Sequence, residues 1–167
     1  DVARANDLGL LVEQPRQPEV RNPTLAGLVA GVLGSGGALP TNWHTTNSVN
    51  VASLSPTVAL ATRDGLDGMT ISFSGTPGTT GNWYLQFEST TQVVIATGET
   101  WEAALDVALA GGSLTNATMV AGFIERSSSG TFANIKTRSI HNSLSPKPQR
   151  LRHAAAVTAG ERWCPCI

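Results

Sequence analysis

MTISFSGTPGTTGNWYLQFESTTQVVIA, residues 69–96, is the stretch whose reading decides the fold. Met69, Ile71 and Phe73 alternate with Thr70, Ser72 and Ser74, the period of a strand with one buried face. Gly75-Thr-Pro-Gly-Thr-Thr-Gly81 follows, a loop of residues that set turns and tolerate positive φ. Trp83, Leu85 and Phe87 then alternate with Tyr84, Gln86 and Glu88. After a polar turn at 89–92, Val93 and Ile95 resume the pattern. One antiparallel sheet of three consecutive strands, apolar on one face and polar on the other, is the simplest structure that satisfies all three runs. Tyr84, Gln86 and Glu88 would then stand in a row on the polar face.

The composition outside this stretch agrees with a β protein. At 167 residues the chain has the length of one domain and enough apolar residues for a core. Lys and Glu are scarce while Gly, Ser, Thr, Ala and Asn are plentiful, which favours short strands joined by small-residue loops over long helices. A net charge of −1 argues against a general nucleic-acid binder, although the C-terminal region is locally basic. Cys164 and Cys166 stand one residue apart; they form neither a disulfide framework across a fold nor, without further ligands, a zinc site. No stretch is apolar enough over the length needed to span a membrane, and no signal peptide is visible.

Working outward, residues 1–22 read as an arm or linker with prolines at 15 and 18, and residues 23–167 as the domain. Asn22–Gly27 is expected to open the first strand and Leu28–Pro40 to be a loose loop. Strands are expected at 43–54 and 57–62, divided by Ser55-Pro56, and a turn at Arg63–Gly68. Glu99–Gly112 is ambiguous. Its Ala, Leu and Glu favour a helix capped by Thr100 and Gly111, but Trp101, Ala103, Leu105 and Val107 also line one face of a strand. The β surroundings decide for the strand. Further strands are expected at 119–125, 135–140 and 150–158. Many short strands with turn signals between them predict an all-β fold, an antiparallel β-sandwich of jelly-roll type.

Several phrases carry a family resemblance: Leu39-Pro-Thr-Asn-Trp43, Phe73-Ser-Gly-Thr-Pro77, Trp83-Tyr-Leu-Gln-Phe-Glu88, Gly98-Glu-Thr-Trp101 and Ala110-Gly-Gly-Ser113. In this order they resemble carbohydrate-binding jelly-roll modules of the family 4/9/16 type, as found in bacteriophage tail fibres, head spikes and gene-transfer particles. Gly9-Leu-Leu-Val-Glu13 is similar to the connector before such modules in phage adsorption proteins. The resemblance covers residues 8–158. It implies a two-sheet sandwich, no catalysis, no cofactor, and glycan contact through aromatics on one sheet or its rim loops. Such modules usually end with two or three more strands than this chain supplies after 158. The sandwich is therefore expected to be incomplete at its C-terminal end, with a sheet edge open to another chain.

The candidate ligand-binding residues are Tyr84, Gln86, Glu88, His44 and Trp43. Sugars are bound by stacking on aromatic rings and by planar amides or carboxylates that bond hydroxyls in pairs, which is the chemistry of the Tyr84-Gln86-Glu88 row. An ordinary solvated sheet face explains the same row. Trp43 reads equally as a plug at the end of the core, His44 as a surface histidine, and Trp83 and Trp101 as core. Glu88, Glu102 and Asp106 could form a glycosidase pair, but no motif supports it. Ser48 or Ser113 with His44 or His141 lacks a nucleophile elbow. Asp64 and Asp67 are a thin ligand set for structural calcium, and turn chemistry explains them. Arg150, Arg152, His153 and Arg162 read as a solvated strand face or subunit contact, since no aromatics interleave with them.

The expectation is a non-catalytic glycan-binding module of a virion fibre or spike. Its partners would be cell-surface polysaccharide and other virion subunits, with homo-oligomerisation and with neither nucleic acid nor membrane among them. A binding module of a secreted polysaccharide-degrading enzyme and a purely structural virion protein are the alternatives.

Overall fold

The computed structural model describes residues 4–6, 9–11, 20–47, 53–76, 80–89, 92–112, 117–140, 144–158 and 162–167. These form an all-β fold: β1 (Arg4–Asn6), β2 (Gly9–Leu11), β3 (Gly31–Leu33), β4 (Gly36–Gly37), β5 (His44–Asn47), β6 (Ser55–Arg63), β7 (Leu66–Ser74), β8 (Trp83–Gln86), β9 (Val93–Val94), β10 (Thr100–Val107), β11 (Val120–Arg126), β12 (Phe132–Ser139), β13 (Gln149–Ala156) and β14 (Arg162–Cys166). A six-stranded sheet runs β12-β11-β14-β8-β5, with β9 also on β14. A four-stranded sheet runs β4-β3-β6-β7, β10 pairs with β13, and β1 with β2.

The three strands of residues 69–96 exist, but they are not neighbours. β7 pairs with β6 from Leu66↔Arg63 to Ser74↔Ser55, in the four-stranded sheet. β8 lies between β14 and β5 in the large sheet, and β9 pairs with β14 rather than with β8. The single sheet expected from periodicity is therefore corrected. A period of two specifies which side of a strand is apolar and says nothing about its partner. The chain changes sheets between Ser74 and Trp83, and β14 supplies a partner to both β8 and β9.

The last residues of the chain form a strand that sequence patterning did not give. Arg162–Cys166 is an inner strand, paired with β11 from Gly122↔Cys166 to Arg126↔Arg162 and, on its other side, with β8 and β9. Leu85 and Ile167 exchange both backbone hydrogen bonds, at 2.9 and 3.0 Å. Sequence patterning missed this strand because Pro165 sits within it, and proline usually marks an edge or no strand at all.

Three smaller differences have local causes. Asn22–Gly27 forms turns instead of a strand, with Leu25 at φ 62°. Leu28–Pro40 contains β3 and β4 instead of a loose loop. Ser55-Pro56 begins β6 instead of dividing two strands: β3 reaches β6 only at Thr57 and Val58, so the missing Pro56 amide faces no partner strand. The β6–β7 hairpin closes on Asp64-Gly65 with φ 50° and 80°, the paired positive φ values of a tight two-residue turn.

Glu99–Gly112 resolves as the strand β10, and its burial alternates along the whole length with that of β13. Trp101↔Ala155, Ala103↔His153 and Leu105↔Leu151 form the inner face. Trp101, Ala103 and Ala155 pack on the buried cluster of Val93, Ile95, Phe123 and Val157, which belongs to the large sheet and its loops. His153 stacks on Phe123 with ring centroids 5.9 Å apart. The inner face of the β10–β13 pair thus packs on a core it shares with residues of the large sheet. Arg63 ties the β6–β7 hairpin to the same region by donating to the carbonyls of Leu109 (3.4 Å) and Pro146 (2.7 Å).

β11 is enclosed on both faces. Phe123 lies in the cluster shared with β10 and β13, while Ile124 joins Cys166 and Ile135 on the opposite side. Gly122 lets β12 approach, because a Cβ there would collide with the backbone of Lys136 and Thr137.

Candidate functional site

Phe87 and Glu88 follow β8 in a bend, and this bend is where the segment entering the domain is anchored. The Glu88 carboxylate accepts from the Arg21 backbone N–H and from Arg21 Nε, each at 3.1 Å, and from the Ser89 N–H at 2.9 Å. An Arg21 terminal nitrogen completes the ion pair with Glu88 Oε1. Burial pushes the carboxyl pKa up, but the Arg21 guanidinium and the two backbone N–H groups outweigh it, so the group sits below the ordinary carboxylate value. Arg21 is raised in turn, chiefly by its hydrogen bond to Glu88.

Asn22 extends the anchor. Its Nδ2 donates to the carbonyls of Ala26 (2.8 Å) and Thr41 (2.9 Å), its Oδ1 accepts from the Ala26 N–H (3.0 Å), and its own carbonyl accepts from Trp43 Nε1 (3.1 Å). Trp43 in turn meets Phe87 edge to face at 4.7 Å. Residues 21–26 and 40–43 are thereby stitched over the end of β8.

This geometry overturns the exposed polar row. Gln86 and Glu88 are 0% exposed and Tyr84 is half-buried, while Leu85 between them is buried too. β8 is an inner strand, so its alternation separates two covered faces instead of core from solvent. Both polar atoms of the Gln86 amide are buried and have no hydrogen-bond partner among the described residues. Its cross-strand neighbours are His44, which is half-buried, and Cys166, which is buried. Of the five expected ligand contacts, Glu88 and Trp43 instead hold the entering segment, and Gln86 is sealed.

The remaining candidates are also accounted for. Glu102 and Asp106 lie on the outer face of β10, where Arg152 and Arg150 of β13 bind them at 2.8 and 2.6 Å. Asp67 accepts from Thr62 Oγ1 at 2.7 Å across the β6–β7 hairpin, and no metal-binding cluster occurs among the described residues. Ser48, Ser113 and His141 lie outside the described residues.

Sequence reading missed an aromatic pair. Phe73 of β7 and Trp83 of β8 meet edge to face at 4.9 Å, although they belong to different sheets. Phe73 is 48% exposed and Trp83 half-buried. At the open end of the β6–β7 pair, Ser74 donates to the Ser55 carbonyl and Ser53 to the Thr76 carbonyl. The signal was present, since the two aromatics stand close in the sequence, but alternation alone assigned both to core.

No family model, curated protein or solved structure matches the chain. No helix among the described residues is long and apolar enough to cross a membrane.

Proposed function

We propose that this chain is a non-catalytic glycan-binding module of jelly-roll type, serving a phage or phage-like virion fibre or spike that adsorbs to host surface polysaccharide. The observation that carries the reading is the exposed Phe73 ring braced edge-on by Trp83. A partly buried partner holds the exposed ring in one orientation, so stacking a sugar on it loses little side-chain entropy. Each contact is weak, and several copies on one particle would multiply it.

A polysaccharide array tests the reading. Wild-type protein should bind a subset of glycans, and Phe73→Ala should weaken that binding roughly 3- to 10-fold, the equivalent of one aromatic contact, with an unchanged circular dichroism spectrum. Folded protein that binds nothing on the array would refute glycan recognition. The structural reading would then gain. Its own support is β7, a nine-residue strand paired on one side only among the described residues, beside exposed Leu60 and Leu66.

A further inference from the structure

β7 leaves one whole edge unused. It pairs with β6 along its full length without a shift, and no other described strand runs alongside it. The tight turn at Asp64-Gly65 makes Arg63↔Leu66 a hydrogen-bonded pair, and bonded and non-bonded pairs alternate from there. Leu66, Gly68, Thr70, Ser72 and Ser74 therefore direct their backbone groups to β6. The N–H and C=O groups of Asp67, Met69, Ile71 and Phe73 point outward, with no partner among the described residues.

Such a row is a template for another strand, and the other described edges carry safeguards that β7 lacks. β4 and β5 are only two and four residues long. β12 bears Lys136 and Arg138, and its ladder with β11 shifts beside Arg126. β10 and β13 bear Glu102, Asp106, Arg150 and Arg152. β7 has nine residues, none of them proline, lysine or arginine, and Asp67 is its one charge.

The strand is also complementary to itself. Antiparallel pairing of two copies about Thr70 sets Met69 opposite Ile71 and Asp67 opposite Phe73. All four point outward, so every unused N–H and C=O of both strands finds a partner. A slip by two positions either way leaves groups unpaired at both ends. Met69 already stands beside Leu60 of β6, and Ile71 beside Val58, so apolar rows continue across the seam. Thr70 meets Thr70, a favourable cross-strand pair, and neither Asp67 faces its own copy.

We propose that β7 is a dimerisation edge: two copies of this chain join their four-stranded sheets into one continuous sheet through antiparallel β7–β7 pairing centred on Thr70. The pairing goes beyond glycan recognition and does not depend on it. It sets the two Phe73 rings on one face of the joined sheet, roughly 20 Å apart along the strands.

The test reads association and register separately. A single edge pairing is a small contact, so sedimentation of wild type over a concentration series should show a reversible dimer with a Kd of roughly 10–100 μM. Thr70→Lys and Thr70→Glu each set like charges against one another at the seam. Each variant alone should dimerise at least about fivefold more weakly than wild type, and an equimolar mixture of the two should recover wild-type association. Opposed residues of a non-hydrogen-bonded pair have Cα atoms about 4.5 Å apart, within disulfide reach. Thr70→Cys should therefore form a covalent dimer under mild oxidation. Ser72→Cys, whose two copies stand more than about 10 Å apart, should not, and nor should wild type with its own Cys164 and Cys166. Thr70→Cys also serves if the charged variants fail to fold.

Wild type that stays monomeric at every concentration overturns the proposal and leaves this edge to a strand of another protein. A dimer indifferent to the charge at position 70 and not trapped by Thr70→Cys overturns β7 as its seam. Cross-linking of Ser72→Cys in preference to Thr70→Cys overturns the register. None of these outcomes depends on what the glycan array shows.

Discussion

Replacing Glu88 by Gln probes the anchor at the end of β8 without changing its shape. The amide oxygen can still accept from the Ser89 or Arg21 N–H, but the charge facing the Arg21 guanidinium is gone. Hydrogen bonds to a charged group contribute about 1.5–3 kcal/mol. The Arg21 side chain is 43% exposed and can rehydrate, which lowers the expected loss to about 1–2 kcal/mol at neutral pH. For a domain of this size that is a drop of roughly 2–8 °C in Tm. The pH dependence is more diagnostic than the size. Glu88 titrates below the ordinary carboxylate value when folded, so its contribution is complete above the unfolded pKa of roughly 4. It is lost as pH falls through the lower folded value. Glu88→Gln has no such group. Thermal denaturation of both proteins from pH 7 to pH 2.5 should therefore give two curves that are separated at neutral pH and converge in acid. Curves that coincide at pH 7, or stay equally separated down to pH 2.5, would refute the assignment of Arg21–Glu88 as a charged anchor.

Gln86→Met should raise stability by about 1–3 kcal/mol in chemical denaturation, because a side chain of similar shape replaces a buried amide with no partner among the described residues; a loss would mean the amide is satisfied. Phe123→Ala should lower stability by about 3–5 kcal/mol, since Phe123 joins the large sheet to Trp101 and Ala155; a loss under about 1 kcal/mol would show that the two sheets do not share this core. Asp106→Asn should cost less than about 1 kcal/mol, because its pair with Arg150 is solvent-exposed, and the difference should shrink further in high salt. Gly122→Ala should leave little soluble folded protein on expression, because the added methyl runs into the backbone of β12; normal yield and midpoint would contradict the close approach of these strands.

Strand positions were largely legible in the sequence, and strand partners were not. Trp101, Ala103, Leu105 and Val107 read correctly as one face of a strand because β10 has solvent on its other side, where Glu102 and Asp106 meet arginines. The same logic misplaced Gln86 and Glu88. β8 is flanked by strands on both edges and covered on both faces, and a buried carboxylate is tolerable there only because Arg21 neutralises it. That partner lies 67 positions away in a stretch with no periodic signal, so nothing local announces it. The Phe73–Trp83 juxtaposition is hidden for a related reason: it joins residues from strands whose packing is set by the whole topology.

The position of β14 carries a kinetic consequence. β11–β12 and β5–β8 are antiparallel pairs that can form from segments fairly close in the chain. They become one sheet only when residues 162–166 slot between them, and Cys166 pairs with Gln86 about half the chain length away. Until that insertion the facing rims of β8 and β11 are unprotected templates for foreign strands. Closure of so large a loop makes the insertion slow. Refolding should accordingly be limited by a late zipping step, and crowded refolding conditions should divert the waiting intermediate into aggregates.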